Sequence, residues 1–138
     1  MSTIITTLVQ LHGYWRWVVA LVAIVALIKF LMGWLGNGKV TANDKLIATA
    51  FASVMSIQLV VGLINILGFV ALNIFNPRLH IEHAVYGLVA TGLSHALPLR
   101  KDDRPDVARF RTATLMVVVS LLLILLSVIR LRGGWLWA

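Results

Sequence analysis

The chain has 138 residues, of which 60% are hydrophobic and 12% are charged, and its formal net charge is +7. Soluble domains carry about 25% charged residues, so this composition excludes an ordinary water-soluble globule and favours an integral membrane protein. The sequence contains no cysteine, which excludes disulfides, thiolate metal sites, iron–sulfur clusters and covalently attached c-type haem.

Four long apolar segments predict an all-α fold, a four-transmembrane-helix bundle. They cover approximately residues 15–35, 46–70, 83–99 and 112–131. A helix needs about 20 residues to cross a hydrocarbon core about 30 Å thick, and each segment comes close to that length. Together they form a single integral membrane domain, residues 1–138. Because the basic residues lie between the apolar segments, the expected partner is the lipid bilayer and not a nucleic acid.

Segment one begins with a cluster of aromatic and basic residues. His12 lies just before the start of this segment, and Arg16 shares the same helical face as an i,i+4 neighbour. Trp15 and Trp34 would lie about 28 Å apart along a helix, so both indoles fit the membrane interfaces. Lys29, near the far end of the segment, is expected to extend toward water past Trp34.

Segment two carries a polar face, and segment four does not. Gln58, Gly62 and Asn65 follow helical spacing on segment two. Lipid penalises such a face, so we expect it to point into the bundle or toward a partner subunit. The functional alternative is a face that hydrogen-bonds a quinone. Segment four is almost wholly Leu, Val and Ile, and it suits contact with lipid or with another subunit equally well.

The distribution of basic residues predicts the topology. Loops 36–45 and 100–111 carry seven Lys and Arg residues, whereas the opposite side carries four. Loops rich in Lys and Arg remain in the cytoplasm. We therefore expect a multi-pass protein of a bacterial inner membrane with both termini in the periplasm.

Two histidines at the ends of parallel segments are the main indication of chemistry. Segments one and three cross the membrane in the same direction, so His12 and His83 are expected to face each other at one depth. Two neutral imidazoles on facing helices can bind both axial positions of a haem iron, so these two residues are candidate metal ligands for a haem b. Arg16 and Arg78 are available on the same side to neutralise its propionates.

Structural pairing is the competing interpretation of the same residues. Glu82 or His83 would then pair with Arg16 or with a backbone carbonyl and tie the helices together. A quinone-contacting or metal-contacting site is a third interpretation. His80 is expected to be a solvated loop residue. His95 has no histidine at its depth on another segment, so a hydrogen bond within the bundle or a headgroup contact is expected in place of a second haem.

Three stretches carry a resemblance to a known family: LHGYWRW (11–17), KFLMGWLG (29–36) and IEHAVYGLVATGLSHALPLR (81–100). Together they resemble a family of small four-helix bacterial membrane proteins usually labelled cytochrome b-like, over most of the chain. The matching positions are His12, Arg16, Trp17, Glu82, His83 and His95. The resemblance implies membership of an electron-transport system.

These features predict a small, non-catalytic membrane subunit of a respiratory or photosynthetic electron-transport complex, with one haem b between segments one and three. No close carboxylate pair lies within the membrane, and no enzyme activity is expected. The alternative is a haem-free accessory subunit that stabilises a larger quinol-oxidising or photosynthetic complex. Larger membrane-protein subunits are expected partners in both cases, and a quinone is a further candidate partner.

Overall fold

The computed structural model describes residues 2–100 and 103–132, and these residues form four helices and no strand. The helices are α1 (Thr3–Leu35), α2 (Ala42–Ala71), α3 (Pro77–His95) and α4 (Asp106–Arg132). Each helix packs against the next and α4 packs against α1, so α1 faces α3 across one diagonal and α2 faces α4 across the other. Short connections make chain neighbours antiparallel, and α1 and α3 run in the same direction. We call the end at which α1 and α3 begin the amino-terminal end of the bundle.

Three of the four described helices are long and apolar enough to cross a membrane: α1, α2 and α4. The all-α prediction is confirmed, whereas a crossing by α3, which has 19 residues, stays a prediction. Large apolar side chains cover the outer surface of every helix, and examples are Leu21, Leu67, Leu88 and Leu122. Such a surface indicates a lipid bilayer environment.

The helices begin earlier than the predicted apolar segments. α1 begins at Thr3 because Ser2 caps it, with its hydroxyl oxygen accepting from Ile5 N at 3.3 Å. His12 therefore lies more than two turns inside α1 and not at the start of the helix. α3 begins at Pro77, where the fixed φ of proline suits a first helical turn.

The predicted end of segment three at residue 99 is wrong, because α3 ends at His95. Pro98 disfavours helical geometry in the residue before it, and the chain leaves the helix ahead of that position. Leu97 and Leu99 remain buried nevertheless, and they pack under the opposite end of the bundle.

The half of the bundle remote from the amino-terminal end is densely packed. Small residues of α1 and α2 face three fully buried aromatic rings, and the set comprises Ala23, Ala26, Phe30, Ala48, Phe51 and Phe110. Lys29 pairs with a carboxylate, since its Nζ lies 3.4 Å from Oδ1 of the buried Asp44, while 42% of the Lys29 side chain remains exposed. Asp44 also completes a capping box with Thr41 at the start of α2, which holds the carboxylate in place.

Replacing Gly33 by alanine is expected to lower the free energy of unfolding by about 1–3 kcal/mol, the usual range for overpacking. A Cβ at Gly33 would lie 2.6 Å from the Phe110 ring, which is fully buried and has little room to move. Thermal unfolding in detergent measures the change. Gly92→Ala is the matched control, because a Cβ at that position meets no atom within 4 Å. Equal stability of the two variants would contradict the prediction.

Candidate functional site

A cavity of about 290 Å³ occupies the amino-terminal half of the bundle and is lined by all four helices. Its volume is just below the usual range for small-molecule sites, about 300–1,000 Å³. Most of the lining residues are apolar. The polar lining residues are His12, Arg16, Gln58, Asn65, His80, His83, Thr91, Ser127 and Arg132.

The structure brings His12 and His83 together inside this cavity. Their ring centroids are 5.9 Å apart, and the ring planes make an angle of 71°. They come from α1 and α3, the helices of one diagonal, so the two rings meet across the middle of the bundle and not along a shared helix contact.

The orientation of His83 is determined by Ser127 of α4. Its Nδ1 lies 2.6 Å from Ser127 Oγ and 3.2 Å from the Ser127 backbone oxygen. A carbonyl oxygen can only accept, so this network assigns the proton to Nδ1 as donor. Ser127 Oγ in turn donates to the His83 backbone oxygen at 3.3 Å. Nε2 keeps its lone pair, which is the arrangement found in histidines that bind metals.

His12 packs directly against the backbone of α2. A Cβ at Gly62 would lie 2.9 Å from His12 Cε1, so only glycine leaves room for the imidazole there. His12 Nδ1 is buried and has no hydrogen-bond partner within residues 2–100 and 103–132. A buried polar atom without a partner is uncommon, and a bound water, an ion or another polar group would satisfy it.

The polar face of α2 points into the bundle, as the sequence predicts. Gln58 Nε2 donates to the His12 backbone oxygen at 3.1 Å, and Asn65 Nδ2 donates to the Leu8 backbone oxygen at 3.4 Å. Both amide oxygens are buried without a partner in the described part of the chain. The two amides therefore tie α2 to α1 through their nitrogens and leave acceptor oxygens at the cavity.

Gln58→Leu is expected to lower the free energy of unfolding by about 0.5–2 kcal/mol, because one interhelical hydrogen bond in an apolar environment is lost. Thermal unfolding in detergent is the measurement. Ser53→Ala serves as control, since the exposed Ser53 hydroxyl bonds only the Thr49 carbonyl of its own helix. If Gln58→Leu unfolds like Ser53→Ala, the amide does not contribute to helix packing.

Only one of the two predicted propionate partners lies at the cavity. Arg16 is 4% exposed, donates to the Gly13 backbone oxygen at 2.9 Å and places its guanidinium 5.3 Å from the Trp17 ring centre. Arg78 lies on the exposed surface of α3 and does not line the cavity. The second cation of the lining is Arg132, from the last turn of α4.

Glu82 forms an ion pair, but with a different arginine from the one expected. Its carboxylate accepts from Arg130 Nε at 2.8 Å and from Arg130 Nη2 at 3.3 Å. The Tyr86 hydroxyl also donates to it at 3.3 Å. Glu82 thus joins α3 to α4 and does not pair with Arg16, because it projects from the α4 side of α3.

The remaining histidines lie at opposite ends of α3. The prediction of a solvated loop for His80 is wrong, since His80 lies in the first turns of α3 with its ring 4.8 Å from Phe69 and 5.4 Å from Phe75. His95 hydrogen-bonds within the bundle, with Nε2 2.6 Å from Ser56 Oγ of α2. His80 lines the same cavity as His12 and His83, whereas His95 does not line it.

Ser127 and Arg132 are polar lining residues to which the sequence-based prediction assigns no role. A serine inside a run of Leu, Val and Ile indicates a polar partner on another helix, which is the signal that identifies Ser127. No group of three or more His, Cys, Asp or Glu side chains able to hold a metal ion occurs among residues 2–100 and 103–132.

Comparison of the chain with family models, with curated proteins and with solved structures finds no match. The family resemblance drawn from the residues stays a prediction.

Proposed function

We propose that this chain is a multi-pass membrane protein that holds one haem b between His12 and His83 and serves as a non-catalytic subunit of an electron-transport assembly. The observation that carries the proposal is the pair of imidazoles 5.9 Å apart across the bundle diagonal. His12 and His83 are the residues that would hold the iron of such a haem, through one imidazole nitrogen each.

The surroundings of the two rings fit this role. Ser127 holds His83 with Nε2 free, and His12 has a buried nitrogen without a described partner. The cavity has open space beside the α3 backbone at Gly87, since a Cβ at that position would meet no atom within 4 Å. This open space beside Gly87 would let a flat macrocycle approach the backbone of α3.

Haem b, when bound, supplies a one-electron carrier whose potential the protein sets through its axial ligands and its burial. The chain's own contribution is to bind and to exclude water. Ser127 keeps the His83 imidazole in one tautomer and one orientation. Val19, Met55 and Ile124 line the deep part of the cavity with apolar atoms. The proposal assigns no catalytic residue to the chain.

The proposal includes a membrane crossing by α3. Its 19 residues measure about 28 Å at 1.5 Å per residue, close to the hydrocarbon thickness. Polar residues lower its hydropathy, and of these Thr91 and Ser94 are buried and His83 lines the cavity, while Val85 and Leu88 are 51% and 59% exposed. A helix with polar residues facing the bundle interior and apolar residues facing outward is suited to a bundle within lipid.

A visible absorption spectrum of the purified protein tests the haem proposal. Protein purified from membranes, or apo-protein titrated with iron protoporphyrin IX, is expected to give a low-spin b-type band in the reduced-minus-oxidised difference spectrum at one haem per chain. Protein that stays colourless in both preparations, although folded by circular dichroism, would refute the haem site.

One observation favours the haem-free alternative, a structural subunit of a larger membrane complex. His83 already bonds the α4 backbone, so it ties two helices without any cofactor. An apolar groove between α1 and α4, which includes Trp17, Leu21 and Leu122, offers a surface for a neighbouring subunit. A colourless protein that copurifies with large membrane subunits would select this alternative.

The proposed orientation places both termini in the periplasm of a bacterial inner membrane. The basis is the excess of Lys and Arg in loops 36–45 and 100–111. A phosphatase reporter fused after Ala138 is expected to be active, and the same reporter inserted at Asn37 is expected to be inactive. The reverse pattern would place the His12–His83 pair toward the cytoplasm.

A further inference from the structure

Two side-chain amides of α2 present unpaired oxygens in the cavity half of the bundle. The backbone oxygens of His12 and Leu8 can only accept, so the atoms that bond them must be the amide nitrogens Gln58 Nε2 and Asn65 Nδ2. The orientation of both amides is thereby fixed. Gln58 Oε1 and Asn65 Oδ1 are buried and have no hydrogen-bond partner in the described part of the chain. Both residues line the cavity, so a donor bound there would satisfy these oxygens.

The cavity extends to the apolar outer surface between α2 and α3. Leu63 lines the cavity and is also 46% exposed. It lies two turns along α2 from Ser56, which bonds His95 of α3, so Leu63 is on the α3 side of its helix. On α3, Gly87 lines the same cavity and leaves open space beside the backbone. A molecule dissolved in the bilayer can therefore reach the cavity from the lipid.

The positions of the two amides suit a ring that carries a hydroxyl at each end. Gln58 and Asn65 are seven residues apart, which separates them by about 10 Å along α2. A 1,4-dihydroxybenzene that donates from both hydroxyls over about 2.8 Å spans a similar distance, about 11 Å. The cavity volume of about 290 Å³ is sufficient for one substituted ring, since a cavity of about 150 Å³ already binds benzene.

We infer that the cavity binds the headgroup of a membrane-soluble hydroquinone, with its two hydroxyls donating to Gln58 Oε1 and Asn65 Oδ1. The reduced form is specified because both unpaired atoms are acceptors. Quinone carbonyls also only accept, so an oxidised ring would leave the two amide oxygens unpaired. The inference rests on the amides of α2 and requires no iron between His12 and His83. It concerns binding and assigns no redox step to the chain.

Binding of n-decyl-hydroquinone and of its dimethyl ether tests the inference, because the ether keeps the ring and the tail but has no O–H. Protein as purified, in nanodiscs of zwitterionic lipid, is titrated anaerobically with each compound, and excess dithionite keeps the hydroquinone reduced. Retention above that of empty nanodiscs reports binding. Wild-type protein is expected to bind the hydroquinone at least about tenfold more tightly than the ether, which cannot form the two hydrogen bonds.

Variants of the two amides locate this preference. Asn65→Leu and Gln58→Leu each remove one acceptor, and each should reduce the preference to about threefold or less. The preference compares two ligands on one protein, so a loss of folded protein lowers the binding of both and leaves the ratio unchanged. Gln10→Leu is the matched control and should keep the wild-type preference, since Gln10 is an exposed amide of α1 outside the cavity.

The outcomes separate this inference from the haem proposal. His83→Ala removes a proposed iron ligand and should leave the preference unchanged. If no b-type spectrum forms but the preference is present and depends on Gln58 and Asn65, the hydroquinone site stands and the haem proposal fails. Equal binding of the two compounds by wild-type protein would mean that water alone satisfies the amide oxygens. That result, or a full preference in both amide variants, would overturn the inference whether or not haem is bound.

Discussion

His83→Ala is expected to abolish the low-spin b-type spectrum and to lower haem affinity by well over tenfold. Loss of an outer partner of a metal-binding histidine already costs about 10–100-fold in affinity, and loss of the ligand itself removes the coordinate bond. His12→Ala is expected to have the same effect, because the two rings face each other across one cavity. Optical titration of each apo-protein with iron protoporphyrin IX measures both the affinity and the spin state.

The control for these variants is His95→Ala, which removes an imidazole from the same helix as His83. His95 bonds Ser56 and does not line the cavity, so its variant should keep the wild-type spectrum and affinity. Circular dichroism of all three variants shows whether each remains helical. A normal low-spin spectrum in both His12→Ala and His83→Ala would mean that other groups bind the iron, or that the histidines act only as helix ties.

The sequence predicts the meeting of His12 and His83 because depth in a membrane bundle follows from topology. Segments one and three cross in the same direction, and a histidine near the start of each must lie at a similar level. The inward face of α2 is equally predictable, since Gln58 and Asn65 share one side of a helix that lipid would otherwise solvate.

The choice between Arg78 and Arg132 could not be predicted in the same way. It depends on the rotation of each helix about its axis and on where the helix ends, and neither follows from hydropathy. Arg78 projects to the surface from the first turn of α3, whereas Arg132 reaches back along α4 toward Gly13. Ser127 stands out in the sequence as a polar residue in an apolar run, but the identity of its partner, His83, depends on the same helix rotation.

Gly87→Leu is expected to block haem binding while leaving the fold intact. A Cβ at Gly87 meets no atom within 4 Å, and Gly87 lines the cavity, so a leucine there would fill space that the macrocycle needs. Glycine inside a helix is also less favourable than other residues by about 0.5–1 kcal/mol. The variant should therefore be as stable as the wild-type apo-protein, or more stable by up to about 1 kcal/mol.

The matched control is Gly92→Leu on the same helix. A Cβ at Gly92 likewise meets no atom within 4 Å, but Gly92 is exposed and lies outside the cavity. Haem affinity measured by optical titration is expected to fall at least tenfold in Gly87→Leu and to stay at the wild-type value in Gly92→Leu, with thermal unfolding recorded for both. If thermal unfolding shows that the two apo-proteins are equally stable, a loss of stability cannot explain the difference in haem affinity. Full haem binding by Gly87→Leu would place any cofactor away from this face of α3 and would contradict a site between His12 and His83.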